Sequence, residues 1–228
     1  MSSATTTHGP LALIGGGEWQ FGSLADEALV ERAGDEVVIL PTAAAFERPE
    51  RAIATAEMFY KHTSVSVRPC MVLTRSDAEN EALAGVVRDA RFIYLAGGSP
   101  LHLRATLKDS AVLHALIEAW RSGALIAGSS AGAMVLTDPM VDPRGGAFTV
   151  GFGLIRDLSV VPHYRGDITA QLRRTLTLAP DGCAIVAIAE QSAVIREPDG
   201  IWTGFGQASI FLDGELDSLS ALAGKGVV

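Results

Sequence analysis

A serine stands at the centre of a glycine-rich segment that follows an apolar run of strand length. The segment Gly128-Ser129-Ser130-Ala131-Gly132 matches the pattern G-x-S-x-G. A tight turn from strand to helix lifts one hydroxyl above a sheet, and small neighbours allow the backbone to pack closely beneath it. The amide of Ala131 would then lie at a helix N-terminus, where it can stabilise an oxyanion. The pattern therefore predicts that Ser130 is a nucleophile.

Two other apolar runs also end in glycine-rich segments. Gly97-Gly98 follows one of them, and Gly15-Gly16-Gly17-Glu18 follows the first run of the chain. Ligands of open α/β sheets bind at the carboxyl ends of strands. The amides of Gly97 and Gly98 could approach a substrate oxygen there, because no Cβ obstructs them. The triple glycine lacks the full G-x-G-x-x-G pattern and a well-placed acid, so we expect no dinucleotide site.

A serine nucleophile needs a base, and the chain contains five histidines. His163 follows the apolar residues 158–161, so it too is expected at a strand end. The other four are expected in a tail, at a helix end, after the double glycine and on an amphipathic helix: His8, His62, His102 and His114. We therefore predict that His163 is the base.

The base in turn needs a carboxylate that holds its tautomer and stabilises the imidazolium. The candidates are five carboxylates downstream of the serine segment: Asp138, Asp142, Asp167, Glu190 and Glu197. Among them, Glu190 directly follows the apolar residues 184–189, which places its carboxylate at a predicted strand end. The residues by themselves leave the choice among these carboxylates open.

Short apolar runs alternate with helical patterns over the first two thirds of the chain. The predicted strands are Leu11–Ile14, 37–40, Phe92–Leu95 and 125–127, and the predicted helices are 24–32, Pro49–Tyr60, 77–87, 101–107 and 112–120. Apolar runs without polar alternation are typical of strands covered on both faces, as in a parallel sheet. The alternation predicts an α/β fold with a mostly parallel central sheet flanked by helices on both faces.

The pattern changes after about residue 180. Short strands are predicted there at Ala184–Ile188, Ala193–Arg196 and 209–212, separated by turn residues such as 197–200. We interpret them as antiparallel hairpins that close one edge of the same sheet. Because no linker-like stretch interrupts the chain, we expect a flexible tail over residues 1–9 and a single domain over residues 10–228.

Composition excludes several classes of protein. Apolar residues make up 48% of the 228 residues, which rules out wholesale disorder. The 26 acidic residues outnumber the 18 Lys and Arg residues, which argues against a nucleic-acid partner. Cys70 and Cys183 lack a metal-ligand spacing, so we expect no metal site. The predicted serine chemistry implies no organic cofactor either. With no basic region before an apolar core at the start and no apolar run near the roughly 20 residues of a membrane span, we expect a cytoplasmic protein without a membrane partner.

The serine segment, the double glycine and two later segments, Pro162-His163-Tyr164 and Ala189-Glu190-Gln191-Ser192-Ala193, together resemble the cyanophycinase and aspartyl dipeptidase family of serine peptidases. The resemblance runs over nearly the whole chain and implies a fold like that of class I glutamine amidotransferases, with serine replacing the cysteine nucleophile. The order of these residues along the chain agrees with the resemblance. The serine comes first, the histidine second and the glutamate last, whereas in α/β-hydrolases the acid lies between the serine and the histidine.

The resemblance also implies roles for individual residues. Ser130 would be the nucleophile, His163 the base and Glu190 the acid, with the amides of Gly98 and Ala131 as oxyanion donors. The dipeptidase branch is associated with an Asp downstream of the serine, so Asp138 and Asp142 remain alternative acids.

Two departures bear on the substrate. Cyanophycinases usually carry an acid and a Gln after the double glycine and Asp-Gln before the histidine, whereas this chain has Ser99-Pro100 and Val161-Pro162. We therefore expect a small peptide substrate with an acidic Asp residue at the scissile bond. Gly97, Ser99 and Arg165 are candidate substrate-binding residues, because Arg forms bidentate pairs with carboxylates; Arg173 and Arg174 are further candidates.

Three alternatives stay open at this point. The chain could act on β-Asp-Arg units as cyanophycinases do, hydrolyse a different amide or ester, or be a non-catalytic amidotransferase-like binding protein. A second copy of the chain, forming a homodimer, is considered as a partner. Labelling by a fluorophosphonate separates the catalytic alternatives from the binding protein, because only an activated serine reacts readily.

Overall fold

The computed structural model describes residues 8–227. Within them the strands are β1 (Leu11–Ile14), β2 (Glu36–Leu40), β3 (Ser66–Pro69), β4 (Phe92–Leu95), β5 (Leu125–Ser129), β6 (Thr137–Asp138), β7 (Met140–Val141), β8 (Phe148–Thr149), β9 (Ile155–Arg156), β10 (Leu158–Val161), β11 (Ala184–Ile188), β12 (Ala193–Arg196), β13 (Trp202–Phe205), β14 (Ala208–Leu212) and β15 (Glu215–Asp217). The helices are α1 (Leu24–Val30), α2 (Pro49–Tyr60), α3 (Arg75–Ala78), α4 (Glu81–Asp89), α5 (Pro100–Leu107), α6 (Ala111–Arg121), α7 (Ala131–Leu136) and α8 (Ala170–Leu178), with 3-10 turns at Thr42–Ala44 and Leu219–Leu222.

The central sheet has seven strands in the order β13-β12-β1-β5-β4-β2-β3. The five strands from β1 to β3 in that order are parallel, and the β12–β13 hairpin adds an antiparallel edge. The predicted α/β fold with a mostly parallel sheet and antiparallel edge strands is therefore confirmed. Short hairpins can extend a parallel sheet at its edge, whereas parallel neighbours need a crossover connection.

Helices cover both faces of this sheet, which explains the continuous apolar runs. Along β1, Leu11 and Leu13 pack into one core cluster with α4, α5 and α6, whereas Ala12 and Ile14 pack into the other with α1 and α2. All four side chains are fully buried. Successive side chains of a strand point to opposite faces, so a strand buried on both sides carries no polar alternation.

The prediction that the late strands all close one edge of the central sheet is wrong. The β11 and β14 strands belong to a second sheet in the order β10-β11-β14-β15, in which β10 and β11 are parallel. A separate small core forms on one face of this sheet, with Leu172 of α8 packed against Ile185 and Phe211. Strand spacing along the chain does not report which strands pair, and this pairing is set by side-chain packing.

One predicted helix is divided. The stretch 77–87 contains the end of α3 and the start of α4, because the Asn80 side chain accepts hydrogen bonds from the amides of Ala82 and Leu83 and begins a new helix. Asparagine is favoured at such N-terminal caps for this reason.

The predicted flexible tail of residues 1–9 falls mostly outside the described residues, but His8 and Gly9 are packed. The His8 ring lies 4.4 Å from the Trp120 ring, centroid to centroid. The Gly9 amide donates to the Trp120 carbonyl, and the indole N–H of Trp120 donates to the Gly9 carbonyl, each at 2.8 Å. These contacts join His8 and Gly9 to α6.

Residues 8–227 contain no helix that is long and apolar enough to cross a lipid bilayer. The same residues hold no group of three or more His, Cys, Asp or Glu side chains that could bind a metal ion.

Candidate active site

The residues that sequence analysis singled out gather at the carboxyl ends of neighbouring strands. Register pairs Ile14 of β1 with Ser129 of β5, and Leu95 of β4 with Gly128 of β5. The segments after β1, β4 and β5 therefore leave the sheet side by side. In open α/β sheets this edge is where ligands bind.

Ser130 occupies a sharp turn between β5 and α7. Its φ is 49° and its ψ is −105°, a conformation that a residue with a side chain rarely adopts. The turn is fixed by the Ser130 amide, which donates to the Ile14 carbonyl at 2.9 Å. Close packing beneath it needs glycine, because a Cβ on Gly132 would come within 2.3 Å of the Leu95 carbonyl oxygen. This arrangement presents the serine side chain above the sheet.

His163 lies directly after β10 and contacts Ser130. The distance from Ser130 Oγ to His163 Nε2 is 2.8 Å, a hydrogen-bond length. The His163 backbone has a φ of 56° and donates its amide to the Gly15 carbonyl at 2.8 Å. The next amide, that of Tyr164, donates to the Ile188 carbonyl at 3.0 Å. His163 is thus held between the end of the central sheet and the end of the second sheet.

Glu190 lies on the far side of the histidine ring. Its Oε1 is 3.1 Å from His163 Nδ1, and the segment is held where the Gln191 amide donates to the Gly16 carbonyl at 2.7 Å. The side chains of His163 and Glu190 are 50% and 56% exposed, so water screens their interaction. Serine, histidine and glutamate therefore form a continuous hydrogen-bonded series at the surface.

The alternative acids have other partners. Asp138 Oδ1 accepts from the Gly151 amide at 2.9 Å. Asp142 pairs with Arg144 at 2.6 Å, and the hydrogen bonds from Arg144 lower the pKa of its carboxyl to about 2. Both follow the serine closely in sequence, but neither carboxylate is hydrogen-bonded to His163, whose Nδ1 contacts Glu190.

The two remaining candidate carboxylates, Glu197 and Asp167, have other surroundings. Glu197 pairs with Arg32 at 2.9 Å at the end of β12. Asp167 lies in the exposed segment after β10 and lines a pocket there.

The amides of Gly98 and Ala131 are the two predicted oxyanion donors. Within residues 8–227, neither the Gly98 amide nor the Ala131 amide donates a hydrogen bond to a protein acceptor. Gly98 has a φ of 136°, and a Cβ there would lie 2.3 Å from the Ala43 carbonyl oxygen, so only glycine fits. The Gly97 amide donates to Glu18 Oε1 at 2.9 Å, so this amide is not available to a substrate oxygen.

Glu18 is the residue that sequence reasoning missed. In addition to the Gly97 amide, its carboxylate accepts the Ser129 hydroxyl, with Oε2 at 2.6 Å from Ser129 Oγ. The signal in the sequence is an acid directly after a glycine-rich strand end, Gly15-Gly16-Gly17-Glu18.

A pocket of about 500 Å³ adjoins the histidine. Apolar side chains such as Met134 and Val161 line it, together with the charged Arg165 and Asp167. The other predicted substrate-binding side chain, Ser99, caps α5 by accepting from the His102 amide at 3.2 Å. Arg173 lines a different pocket, beside Asp181.

The chain is similar to known peptidases. The profile of peptidase family S51 matches residues 11–203. A cyanophycinase from Synechococcus elongatus is 28% identical over 151 residues, which cover 61% of this chain and 47% of that protein. An uncharacterized peptidase, YgaJ of Bacillus subtilis, is 28% identical over 144 residues, covering 60% of this chain and 58% of that protein. The chain thus spans about half the length of these curated relatives.

A solved structure is similar over almost the whole chain. The crystal structure of a peptidase from an acI-B1 actinobacterium superposes with a TM-score of 0.78 at 27% sequence identity. The superposition covers 92% of this chain and 97% of that one.

Proposed function

Since this chain belongs to peptidase family S51, we propose that it is a serine peptidase that hydrolyses short peptides with Ser130 as its nucleophile. The observation that carries the proposal is the series of two hydrogen bonds, 2.8 Å from Ser130 Oγ to His163 Nε2 and 3.1 Å from His163 Nδ1 to Glu190 Oε1. A serine is a weak nucleophile unless an adjacent base accepts its proton. The histidine has the required contact with the hydroxyl.

In the first half of the reaction, Ser130 Oγ attacks the carbonyl carbon of the scissile peptide bond. His163 Nε2 accepts the hydroxyl proton as the new C–O bond forms, and Glu190 holds the ring by accepting the hydrogen bond from Nδ1–H. The imidazolium then returns the proton to the leaving nitrogen as the C–N bond breaks. An acyl-enzyme ester on Ser130 and a free amine result.

In the second half, water replaces the amine. His163 accepts a proton from the water as its oxygen attacks the ester carbonyl, and the same proton is returned to Ser130 Oγ when the ester bond breaks. The products are a carboxylic acid and the regenerated hydroxyl. No metal or organic cofactor takes part in this proposal.

The amides of Gly98 and Ala131 are the proposed donors to the oxyanion. Each tetrahedral intermediate carries a negative oxygen, and preformed amide donors stabilise it more than they stabilise the planar substrate. Their lack of protein acceptors within residues 8–227 supports this role. Gly97, which donates to Glu18, would shape the turn and not bind the oxygen.

The pocket beside His163 supports a short and charged substrate. Arg165 offers a guanidinium to a substrate carboxylate, and Asp167 offers an anion to a substrate ammonium. A small peptide with an Asp residue at the scissile bond carries both kinds of group within a few bonds. We therefore propose Asp-containing dipeptides and similarly short peptides as the substrate class.

A cyanophycinase-like activity on β-Asp-Arg units is the second candidate, because a cyanophycinase is among the relatives. Such units share the Asp carboxylate that Arg165 could bind. Pro100 and Pro162 weigh against it, since proline offers no backbone N–H donor where the resemblance would place polar residues.

Fluorophosphonate labelling and a peptide panel test the proposal together. The wild-type protein is expected to be labelled on Ser130 and to cleave at least one Asp-X dipeptide, isoaspartyl dipeptide or β-Asp-Arg peptide. Ser130→Ala should remove the label and lower kcat by about 10⁴-fold or more without unfolding the protein. Ser122→Ala, at an exposed position after α6, is the matched control and should behave as wild type. Near-normal turnover by Ser130→Ala, or a wild-type protein that neither labels nor cleaves, would refute the serine peptidase.

A further inference from the structure

Glu18 bridges two segments of the site without touching the proposed proton relay. Its Oε1 accepts from the Gly97 amide at 2.9 Å, and its Oε2 accepts from the Ser129 hydroxyl at 2.6 Å. Gly97 precedes Gly98, whose amide is a proposed oxyanion donor, and Ser129 precedes Ser130. One carboxylate therefore ties the segment that carries a donor to the segment that carries the nucleophile.

The contacts are close and leave little room for adjustment. Ser129 is fully buried, and a Cβ at position 97 would come within 2.9 Å of Glu18 Oε1. Hydrogen bonds to a carboxylate are shorter and about twice as strong as those between neutral groups. A side chain at position 97 would therefore push the Glu18 carboxylate away from the amide that it accepts from.

Glu18 is itself held by buried groups. Trp19, the next residue, has a φ of 58° and donates its amide to Asp26 Oδ2 at 2.7 Å. Asp26 is fully buried on α1, and the Tyr94 hydroxyl donates to its Oδ1 at 3.4 Å. The turn that carries Glu18 is therefore fixed to the core of the central sheet.

The double-glycine segment is held on its other side as well. The Ser99 amide donates to the Ala43 carbonyl at 2.8 Å, against which Gly98 packs. With Glu18 at Gly97 and Ala43 at Ser99, the backbone on both sides of Gly98 is fixed, and so is the direction of the Gly98 amide.

We propose that Glu18 is a positioning residue that holds the Gly98 amide in place relative to Ser130. This inference rests on the proposed function, in which that amide stabilises the oxyanion. The hydrogen bonds of Glu18 go to Gly97 and Ser129 and not to His163, so its loss should weaken transition-state stabilisation and leave the base untouched. Displacements of about 1 Å at such a site can cost 10²-fold in rate.

The test compares wild type with Glu18→Ala and Glu18→Gln, and with Glu57→Ala on the exposed face of α2 as the matched control. With the panel peptide that the wild type cleaves best, Glu18→Ala should lower kcat by about 10²-fold and change KM by less than about threefold. A boronic-acid analogue of that peptide forms an anionic tetrahedral adduct with serine. Its affinity for Glu18→Ala should fall by about the same factor as kcat. The apparent pKa of the acidic limb of the pH profile, where the general base loses its proton, should stay at its wild-type value.

Glu18→Gln separates position from charge. Its amide oxygen can still accept from the Gly97 N–H, so kcat should fall by less than about tenfold. The inference is overturned if Glu18→Ala matches Glu57→Ala, or if Glu18→Gln is as slow as Glu18→Ala. If Glu18→Ala does not fold, Glu18→Gln is used alone. A Glu18→Gln enzyme with a lowered kcat but a wild-type affinity for the boronate would contradict a positioning role.

Amide hydrogen exchange tests the contact between Glu18 and the Gly97 amide without any need for a substrate. Exchange at Gly97 should be faster in Glu18→Ala than in wild type, since the amide loses its acceptor. Unchanged exchange would contradict the positioning role even if the wild type cleaved no peptide, an outcome that would refute only the proposed function.

Discussion

The imidazole of His163 lies against the backbone of Gly16. A Cβ at position 16 would be 2.4 Å from Cε1 and 2.8 Å from Nδ1 of this ring. Gly16 also has a φ of 119° and accepts the Gln191 amide that fixes the Glu190 segment. The glycine-rich end of β1 therefore serves as the surface on which the base and its acid are placed.

Gly16→Ala should displace the histidine ring. Ordinary carbon contacts need about 3.5 Å or more, so the ring must move by about 1 Å and leave Ser130. We expect kcat/KM to fall by about 10²-fold or more. Gly22→Ala is the control, because Gly22 also has a positive φ, of 81°, but has open space where a Cβ would lie. Both variants should lose about 1–2 kcal/mol in urea unfolding from backbone strain. Wild-type kcat/KM in Gly16→Ala would contradict the reported contact.

Glu190 should be the acid that matters for turnover. Glu190→Gln is expected to lower kcat by roughly 10²–10⁴-fold, because the histidine loses the carboxylate that stabilises its imidazolium. Asp138→Asn and Asp142→Asn should keep kcat within about threefold, since their carboxylates bind Gly151 and Arg144. Steady-state kinetics of the three variants on one substrate decide the assignment. A severe loss in either aspartate variant with full activity in Glu190→Gln would reverse it.

Small Asp-containing peptides should be better substrates than the β-Asp-Arg polymer. Ser99-Pro100 and Val161-Pro162 leave fewer polar groups to bind those of the polymer. A substrate whose polar groups are buried without partners can lose orders of magnitude in kcat/KM. The measurement is kcat/KM for an Asp-X dipeptide against the depolymerisation rate of cyanophycin with one preparation. Arg165→Lys should raise KM for the dipeptide while leaving kcat nearly unchanged. Efficient depolymerisation without dipeptide turnover would reverse the ranking.

Asp26 should make stability fall as pH rises through the mildly acidic range. Burial raises the pKa of its carboxyl from 3.8 to about 6, so between these values the folded state binds more protons than the unfolded chain. Stability attributable to this group is therefore full below about pH 4 and is lost as pH rises to about 6. The free energy of unfolding of wild type minus that of Asp26→Asn should decrease by up to about 1.4 kcal/mol per pH unit in this window. Urea unfolding at several pH values measures it.

Asp35→Asn, at an exposed carboxyl, is the control for removing one negative charge. The free energy of unfolding of wild type minus that of Asp26→Asn could instead rise with pH. That result would mean that the hydrogen bonds from Trp19 and Tyr94 to the carboxylate outweigh the cost of burying its charge.

The sequence by itself determined the class of fold and the order of the chemical groups. Runs such as Leu11–Ile14 predict strands buried on two faces, because only a sheet covered by helices removes every side chain of such a run from water. Ser130, His163 and Glu190 each stand within three positions of the end of an apolar run, so their places at strand ends are local properties. The G-x-S-x-G pattern is local only in part, because Gly128 packs against Gly132 four positions on, whereas Gly132 packs against the Leu95 carbonyl at the end of β4.

Only the tertiary structure decided which strand ends meet. Glu18 and Ser129 are 111 positions apart, and their contact depends on β1 pairing with β5. Likewise, β11 pairs with β10 in a second sheet, where its side chains pack against α8, although the sequence predicts it at the edge of the central sheet. Strand pairing is a long-range choice that local patterns do not encode. For the same reason the roles of Gly16 and Glu18 became visible only when the segments after β1 and β5 stood side by side.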